Sequence, residues 1–159
     1  MFRTFLLFLL FATTLFAKSY NFTELRYSDA IGRYTQVDGV IEFFNDGLKI
    51  VYPKAKKELI YKDDDLHYLQ EGREIELPSL QKAQMAQYFE LLGLIHRGDS
   101  SEISEMFDIS QKDGMKILTP TGSIKNYIKY IQLQEDSKLF HNIKLFLQNN
   151  DTISITIDG

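Results

Sequence analysis

Turn-forming residues punctuate this chain at short, regular intervals, and this spacing limits most strongly what the chain can fold into. The segments between the turns are rich in β-branched and aromatic side chains, which is typical of strands. The triplet Asn45-Asp46-Gly47 is a strong hairpin signal, because glycine adopts a positive φ without steric cost. We therefore predict about ten hairpin-linked strands, at residues 37–44, 48–52, 58–62, 66–70, 73–77, 107–111, 115–118, 127–134, 139–148 and 152–158.

The last of these segments shows which way the strands face. Ile153, Ile155 and Ile157 alternate with hydroxyl-bearing residues. Such alternation places one face of a strand against a core and the other face in water.

One segment in the middle of the chain breaks the strand pattern. Residues 79–97 contain no turn residue except Gly93, and their apolar positions recur at three- and four-residue steps, which predicts an amphipathic helix. Ser79 is its expected N-cap, and Gly98-Asp99 is expected to end it. Residues 101–106 predict one or two further helical turns. The apolar positions are Leu80, Ala83, Tyr88, Leu91, Leu92 and Ile95.

These patterns predict the fold class. We expect a mainly β (α+β) protein with a single strongly curved antiparallel sheet, or half-open β-barrel, and a helical lid between two groups of strands. The helix must bury its apolar stripe, and the concave face of the sheet is the available surface. A hollow between such a sheet and helix is a frequent ligand site. No internal repeat or long linker divides the chain, so residues 18–159 are predicted to form one domain.

The N-terminus predicts export from the cytoplasm. One positive charge at Arg3 precedes an apolar run, residues 5–11, which continues after two threonines through residues 15–17 to the small Ala17 before polarity returns. This order is that of a secretory signal peptide, residues 1–17, with cleavage after Ala17. The alternative is a retained membrane anchor, which would need about 20 apolar residues.

Charge and composition exclude several functions. The net charge is −4, and there is no basic cluster of the kind that neutralises nucleic-acid phosphates, so we expect no nucleic-acid partner. The chain has no cysteine, which excludes disulfides, thiol catalysis and lipid attachment after the signal peptide.

Catalytic and metal-binding patterns are weak. His67, His96 and His141 lack the spacing of metal ligands. The run at residues 63–65, three aspartates, lacks the glycine and distal glutamate of a calcium loop and is more typical of a solvated turn. A catalytic Ser-His-Asp triad within residues 96–101 is not indicated, because the sequence there lacks a nucleophile elbow. We predict no enzyme, no metal and no cofactor.

Four short segments carry a shared pattern: residues 39–43, 59–68, 117–120 and 143–157. Together they resemble the periplasmic outer-membrane lipoprotein carriers of the LolA/LolB type. Residues 39–43 resemble that family's Gly-x-hydrophobic strand, and residues 59–68 its hydrophobic strand, acidic turn and aromatic strand. Residues 117–120 resemble its Leu-x-Pro segment. The end of the chain, residues 143–157, resembles its C-terminal pair of strands.

The chain also departs from that family. The resemblance implies an N-terminal helix, which residues 21–32 would form only in abbreviated shape because they hold few apolar positions. Tyr52 stands at a family position, but Ile50 replaces the expected Trp. No arginine occupies the position whose side chain is thought to help control the lid.

The resemblance implies a periplasmic carrier that binds the acyl chains of lipoproteins, or of a related lipid, and moves them toward the outer membrane. It implies membrane-bound donor and acceptor proteins, and we expect a monomer. Against this stands a periplasmic interaction module with a closed core and no lipid cargo. The groove and lid are predicted to be lined by Ile41, Phe43, Ile50, Tyr52, Leu66, Tyr68, Ile131 and Ile155 from the strands and by Tyr88, Phe89 and Leu92 from the helix.

Overall fold

In the part of the chain that the structure describes, eleven strands form one antiparallel sheet, and two helices connect its two halves. The computed structural model describes residues 18–98, 100–136 and 139–158, so the predicted signal peptide lies outside the described residues. The strands are β1 (Lys18–Ser28), β2 (Arg33–Phe44), β3 (Gly47–Tyr52), β4 (Lys57–Lys62), β5 (Asp65–Gln70), β6 (Arg73–Glu74), β7 (Phe107–Lys112), β8 (Met115–Pro120), β9 (Ile128–Asp136), β10 (Leu139–Leu147) and β11 (Thr152–Asp158). The helices are α1 (Ser79–Arg97) and α2 (Ser100–Met106), and two short 3-10 turns are Pro53–Ala55 and Ser123–Asn126.

The strand order shows how the chain winds. The sheet runs β6-β5-β4-β3-β2-β1-β11-β10-β9-β8-β7. The first six strands meander to one edge, the helices cross to the other edge, and the last five strands meander back until β11 pairs with β1. The sheet is not closed, because β6 and β7 lie at opposite edges. The predicted mainly β fold, a single curved antiparallel sheet with a helical lid between two strand groups, is confirmed.

The predicted abbreviated N-terminal helix is wrong, because residues 21–32 belong to β1 and to the turn after it. β1 pairs with β2 along its whole length and with β11 from Asn21 to Tyr27, so it is the strand that joins the two halves of the sheet. Its inward positions alternate, with Phe22 and Glu24 buried. The segment has too few apolar residues for a helical stripe because a strand needs only every second residue inward.

The predicted hairpin turns are present in the described residues, except that the turn before residue 139 includes residues 137–138, which lie outside them. Gly47, however, is required for a different reason than the predicted one. Its φ is not positive. Instead a Cβ at Gly47 would lie 2.0 Å from the carbonyl oxygen of Tyr61, so the close approach of β4 requires glycine there. The turn between β4 and β5 does use positive φ, at Asp63 (52°) and Asp64 (61°). Aspartate tolerates this conformation better than most residues.

Helix α1 has two halves with different surroundings. Its second half is packed into the core through buried Phe89, Leu91, Leu92, Leu94 and Ile95. Its first half packs less deeply, through partly buried Met85, Ala86 and Tyr88. Leu80 is 67% exposed and Ala83 is exposed, so the predicted stripe is wrong at these two positions. Ser79 is not the N-cap; that position is Pro78, whose φ of −53° suits the entry to a helix. Gly98 ends the helix at a φ of 66°, as predicted. Neither α1 nor α2 is long and apolar enough to span a membrane.

Candidate functional site

A cavity of about 730 Å³ lies between the first half of α1 and the inner face of the sheet. Side chains from β3, β4 and β5 form one wall, and side chains from β10 and β11 form the opposite wall. In a flat sheet β5 and β10 would be about 29 Å apart, since strands are spaced by about 4.8 Å. Their shared cavity therefore depends on the curvature of the sheet. Its volume is within the roughly 300–1,000 Å³ of small-molecule sites.

The cavity walls are mainly apolar and aromatic, and the polar side chains at its surface are mostly amides. The first half of α1 supplies Met85 at its roof. Such a lining suits an aliphatic chain, because an aliphatic chain needs apolar surface and offers no hydrogen bonds. The apolar and aromatic lining residues are Tyr52, Leu59, Tyr68, Leu77, Met85, Tyr88, Phe89, Ile124, Tyr127, Ile128, Leu145, Leu147 and Ile153.

A charged pair on β1 lies beside the cavity. Glu24 is 1% exposed and its carboxylate is ion-paired with the guanidinium of Arg26, whose Nε donates a hydrogen bond to Glu24 Oε1. The hydroxyl of Tyr52 donates a second hydrogen bond to Glu24 Oε2 at 3.2 Å. A buried carboxylate is costly without such partners. The two residues are close because side chains two positions apart share one face of a strand.

The phenol groups of Tyr52 and Tyr88 lie close to this ion pair. Burial raises the pKa of Tyr52, and the negative charge of Glu24 raises it further. Burial raises the pKa of Tyr88 well above its ordinary range, and Glu24 and Tyr52 add to the effect while Arg26 opposes it. The hydroxyl of Tyr88 is shielded from solvent and has no hydrogen-bond partner among the described residues. Both tyrosines are therefore neutral hydrogen-bond donors at neutral pH.

The charge of the cavity surface is positive. Of the described residues that line it, only Arg26 and Lys57 carry a charge, and no carboxylate is among them. Glu24 lies beneath Arg26 rather than at the surface. The side chain of Arg26 is 53% exposed, so its guanidinium reaches from the buried pair into the cavity.

The structure divides the predicted lining residues into two groups. Tyr52, Tyr68, Tyr88 and Phe89 line the cavity together. The other seven do not line it; they are at most 5% exposed and pack in the core: Ile41, Phe43, Ile50, Leu66, Leu92, Ile131 and Ile155. Whether a ligand contacts the first group stays a prediction.

Sequence reasoning missed part of the lining. Ile153 could have been found, since it alternates with the predicted lining residue Ile155, and Leu145 of β10 lies directly opposite it. Arg26 carried no such signal, because its segment was expected to be helical. Met85 was missed because the helical stripe was drawn through Leu80 and Ala83 instead.

The other end of the lid is closed. His96 stacks on the ring of Phe43, with 3.7 Å between ring centroids and an angle of 10° between planes. Burial lowers the pKa of His96, and the charges of Lys18 and Arg97 lower it further. In the run of three aspartates, the carboxylate of Asp65 pairs with the ammonium of Lys82, in the first half of α1, at 2.6 Å. Among the described residues, no group of three or more potential ligands could hold a metal ion.

A half-open curved sheet with a helix over an apolar cavity defines the architecture. No protein-family model matches the sequence, and no curated protein matches it. Among solved structures, the crystal structure of a LolA superfamily protein from Nitrosomonas europaea is similar to this chain. The two share 8% identity at a TM-score of 0.44, over 92% of this chain and 86% of that one. The similarity is distant, is confined to the arrangement of sheet and helices, and carries no information on a ligand.

Proposed function

We propose that this protein is a periplasmic carrier that holds the acyl chains of lipoproteins, or of a related lipid, in the cavity under α1 and moves them toward the outer membrane. The observation that carries the proposal is the cavity itself, about 730 Å³ with mainly apolar walls. Each CH₂ moved from water into such walls contributes about 0.8 kcal/mol. An acyl chain is therefore the ligand that gains most from this site.

The surroundings of the cavity support release as well as binding. The first half of α1 forms the roof. Its apolar contacts come from partly buried side chains such as Met85 and Tyr88, and Leu80 is exposed, so it is held against the sheet less firmly than the second half, whose apolar side chains are fully buried. Segments with few buried contacts open at the lowest free-energy cost. We propose that this half of α1 moves to admit the chain while the second half, anchored by Phe89 and Leu92, stays in place.

The predicted signal peptide and the resemblance of four segments to lipoprotein carriers support a role outside the cytoplasm. In this role the protein works as a monomer without a cofactor and without catalysis. It receives its cargo from a membrane-bound donor protein and delivers it to a membrane-bound acceptor.

A second candidate is a periplasmic interaction module without lipid cargo. The closed packing of seven predicted groove residues, including Ile41 and Ile131, favours it. In that case the cavity would be an incidental gap at the end of a packed core.

Mass spectrometry of lipid extracted from the natively purified protein separates the two candidates. The carrier should yield acyl species close to one equivalent per chain. Leu147→Gln places an amide in the cavity wall and should reduce the yield, whereas Leu25→Gln, on the outer face of the sheet, should not. A lipid-free extract from the unmodified protein would count against the carrier and favour the interaction module.

A further inference from the structure

The geometry points to a subsite for an anionic headgroup, a carboxylate or a phosphate, in the cavity beneath α1, with Arg26 as its cation and Tyr88 as its hydrogen-bond donor. The inference rests on the proposed function, because the headgroup is that of an amphiphile whose chain occupies the apolar part of the cavity. It names the chemical class of cargo that the cavity prefers.

The guanidinium of Arg26 is fixed in direction by its ion pair and keeps N–H groups available for a ligand. One of its five N–H groups, at Nε, donates to the buried Glu24, which fixes the direction of the guanidinium. About half of the side chain is still exposed, and it lines the cavity. A planar guanidinium can pair with one carboxylate along one edge and present its other N–H groups to a second anion.

Tyr88 supplies a second, independent observation. Its hydroxyl is buried and has no hydrogen-bond partner among the described residues, and a buried hydroxyl in this condition calls for an explanation. Tyr88 lines the same cavity as Arg26 and lies near enough to sense its charge. An oxygen of an anionic headgroup beside Arg26 would accept the hydrogen bond that the Tyr88 hydroxyl does not otherwise make.

The charges of the lining select against the other headgroups. A cationic headgroup would meet Arg26 and Lys57, with no carboxylate at the described cavity surface to oppose them. A neutral hydroxyl could satisfy Tyr88 but would give the N–H groups of Arg26 that do not contact Glu24 no charged acceptor. Hydrogen bonds to charged groups are about twice as strong as neutral ones, so an anion gains most.

The test is a competition series with ligands of one chain length. Hexadecanoate, hexadecyl phosphate, hexadecanol and hexadecyltrimethylammonium displace a neutral fluorescent acyl probe from the purified full-length mature protein, at concentrations below micelle formation. The two anions should bind about 10- to 100-fold more tightly than hexadecanol, and the cation most weakly. Whichever anion is tighter identifies the headgroup as carboxylate or phosphate. Equal affinity for hexadecanoate, hexadecyl phosphate and hexadecanol would overturn the inference.

Variants assign the effect to its residues. Arg26→Gln should abolish the ratio of anion affinity to hexadecanol affinity, and Tyr88→Phe should reduce that ratio several-fold. Lys54→Gln is the control, because Lys54 is an exposed cation that pairs with Asp38 away from the cavity. An anion preference that survives Arg26→Gln intact would overturn the assignment.

One further variant controls for folding, and the hexadecanol result separates failure of the subsite from failure of the carrier function. Because Arg26→Gln leaves Glu24 buried without its cation, the double variant Glu24→Gln/Arg26→Gln removes both charges and should show the same loss of preference in a folded protein. If neither the probe nor any of the four ligands binds the protein, the proposed carrier function fails. If hexadecanol binds but the anions gain nothing over it, only the headgroup subsite fails.

Discussion

Replacing Gly39 by alanine tests how the strand that joins the two halves of the sheet is packed. Gly39 of β2 lies directly opposite Phe22 of β1. A Cβ at this position would lie 2.6 Å from Cζ of Phe22 and 2.8 Å from the carbonyl oxygen of Val51 in β3. The absence of a side chain therefore lets the Phe22 ring lie over the backbone of β2, edge-on to Tyr52 at 5.8 Å between centroids.

The expected loss of stability follows from the groups that an added Cβ at Gly39 would have to displace. The Phe22 ring is 3% exposed and has little room in the core, and the Val51 oxygen belongs to a backbone already paired with β2. Forcing an extra group into a filled core typically costs 1–3 kcal/mol. We expect Gly39→Ala to lower the free energy of unfolding by about that amount.

Urea unfolding followed by circular dichroism measures this change. Gly122→Ala is the matched control, because Gly122 has a negative φ of −91° and no atom lies within 4 Å of where its Cβ would be. Without strain, alanine in place of glycine stabilises a protein by about 0.4–1 kcal/mol through the unfolded chain. The same chemical change should thus have opposite signs at the two positions. The double variant Gly39→Ala/Phe22→Leu should cost less than the two single changes together. A Gly39→Ala protein as stable as the parent would refute this account of the packing.

Three further predictions concern acid, alkali and chain length. Because the pKa of His96 is lowered in the folded state, the unfolded chain binds more protons below pH 6.5, and stability should fall as the pH drops below that value. His96→Gln should flatten this fall in urea titrations between pH 7 and pH 5, and an unchanged slope would contradict the prediction. Because the pKa values of Tyr52 and Tyr88 are raised, the folded state keeps protons that the unfolded chain loses above pH 10, and stability should decrease from there upward. The decrease of stability with pH should be less steep in Tyr52→Phe, and equal slopes in the two proteins would refute this. Lengthening a saturated acyl ligand by two CH₂ groups should tighten binding roughly tenfold until the cavity is full, and calorimetry that shows no dependence on length would exclude burial of the chain.

The strand pattern was predictable because its signals are local. Each hairpin carries its own turn residues, and each inward isoleucine of β11 is marked by its polar neighbours. β1 was missed because its inward face holds the polar Glu24 and Arg26 after Phe22, which hides the alternation. Only the pairing of β1 with both β2 and β11 makes those two residues neighbours of the core.

The cavity could be predicted only in outline. A hydrophobic residue on an inward face packs in a core or lines a hollow according to how far the helix above it stands from the sheet. Ile50 and Tyr52 lie two positions apart on β3 and face the same way, yet only Tyr52 lines the cavity, because it lies under the first half of α1. That distance is a tertiary property which sequence periodicity does not contain.

The central claim is that the space beneath the first half of α1 accommodates an acyl chain. Met85→Trp fills that space from the roof, while Ala83→Trp adds the same side chain to the exposed side of the same helix. The chain has no tryptophan of its own, so each variant also reports its surroundings by its fluorescence.

Titration of both variants with a fluorescent acyl probe is the most direct measurement. Met85→Trp should weaken probe binding at least tenfold, and Ala83→Trp should bind the probe like the parent protein. Equal binding by the two variants would place the chain elsewhere and contradict the account.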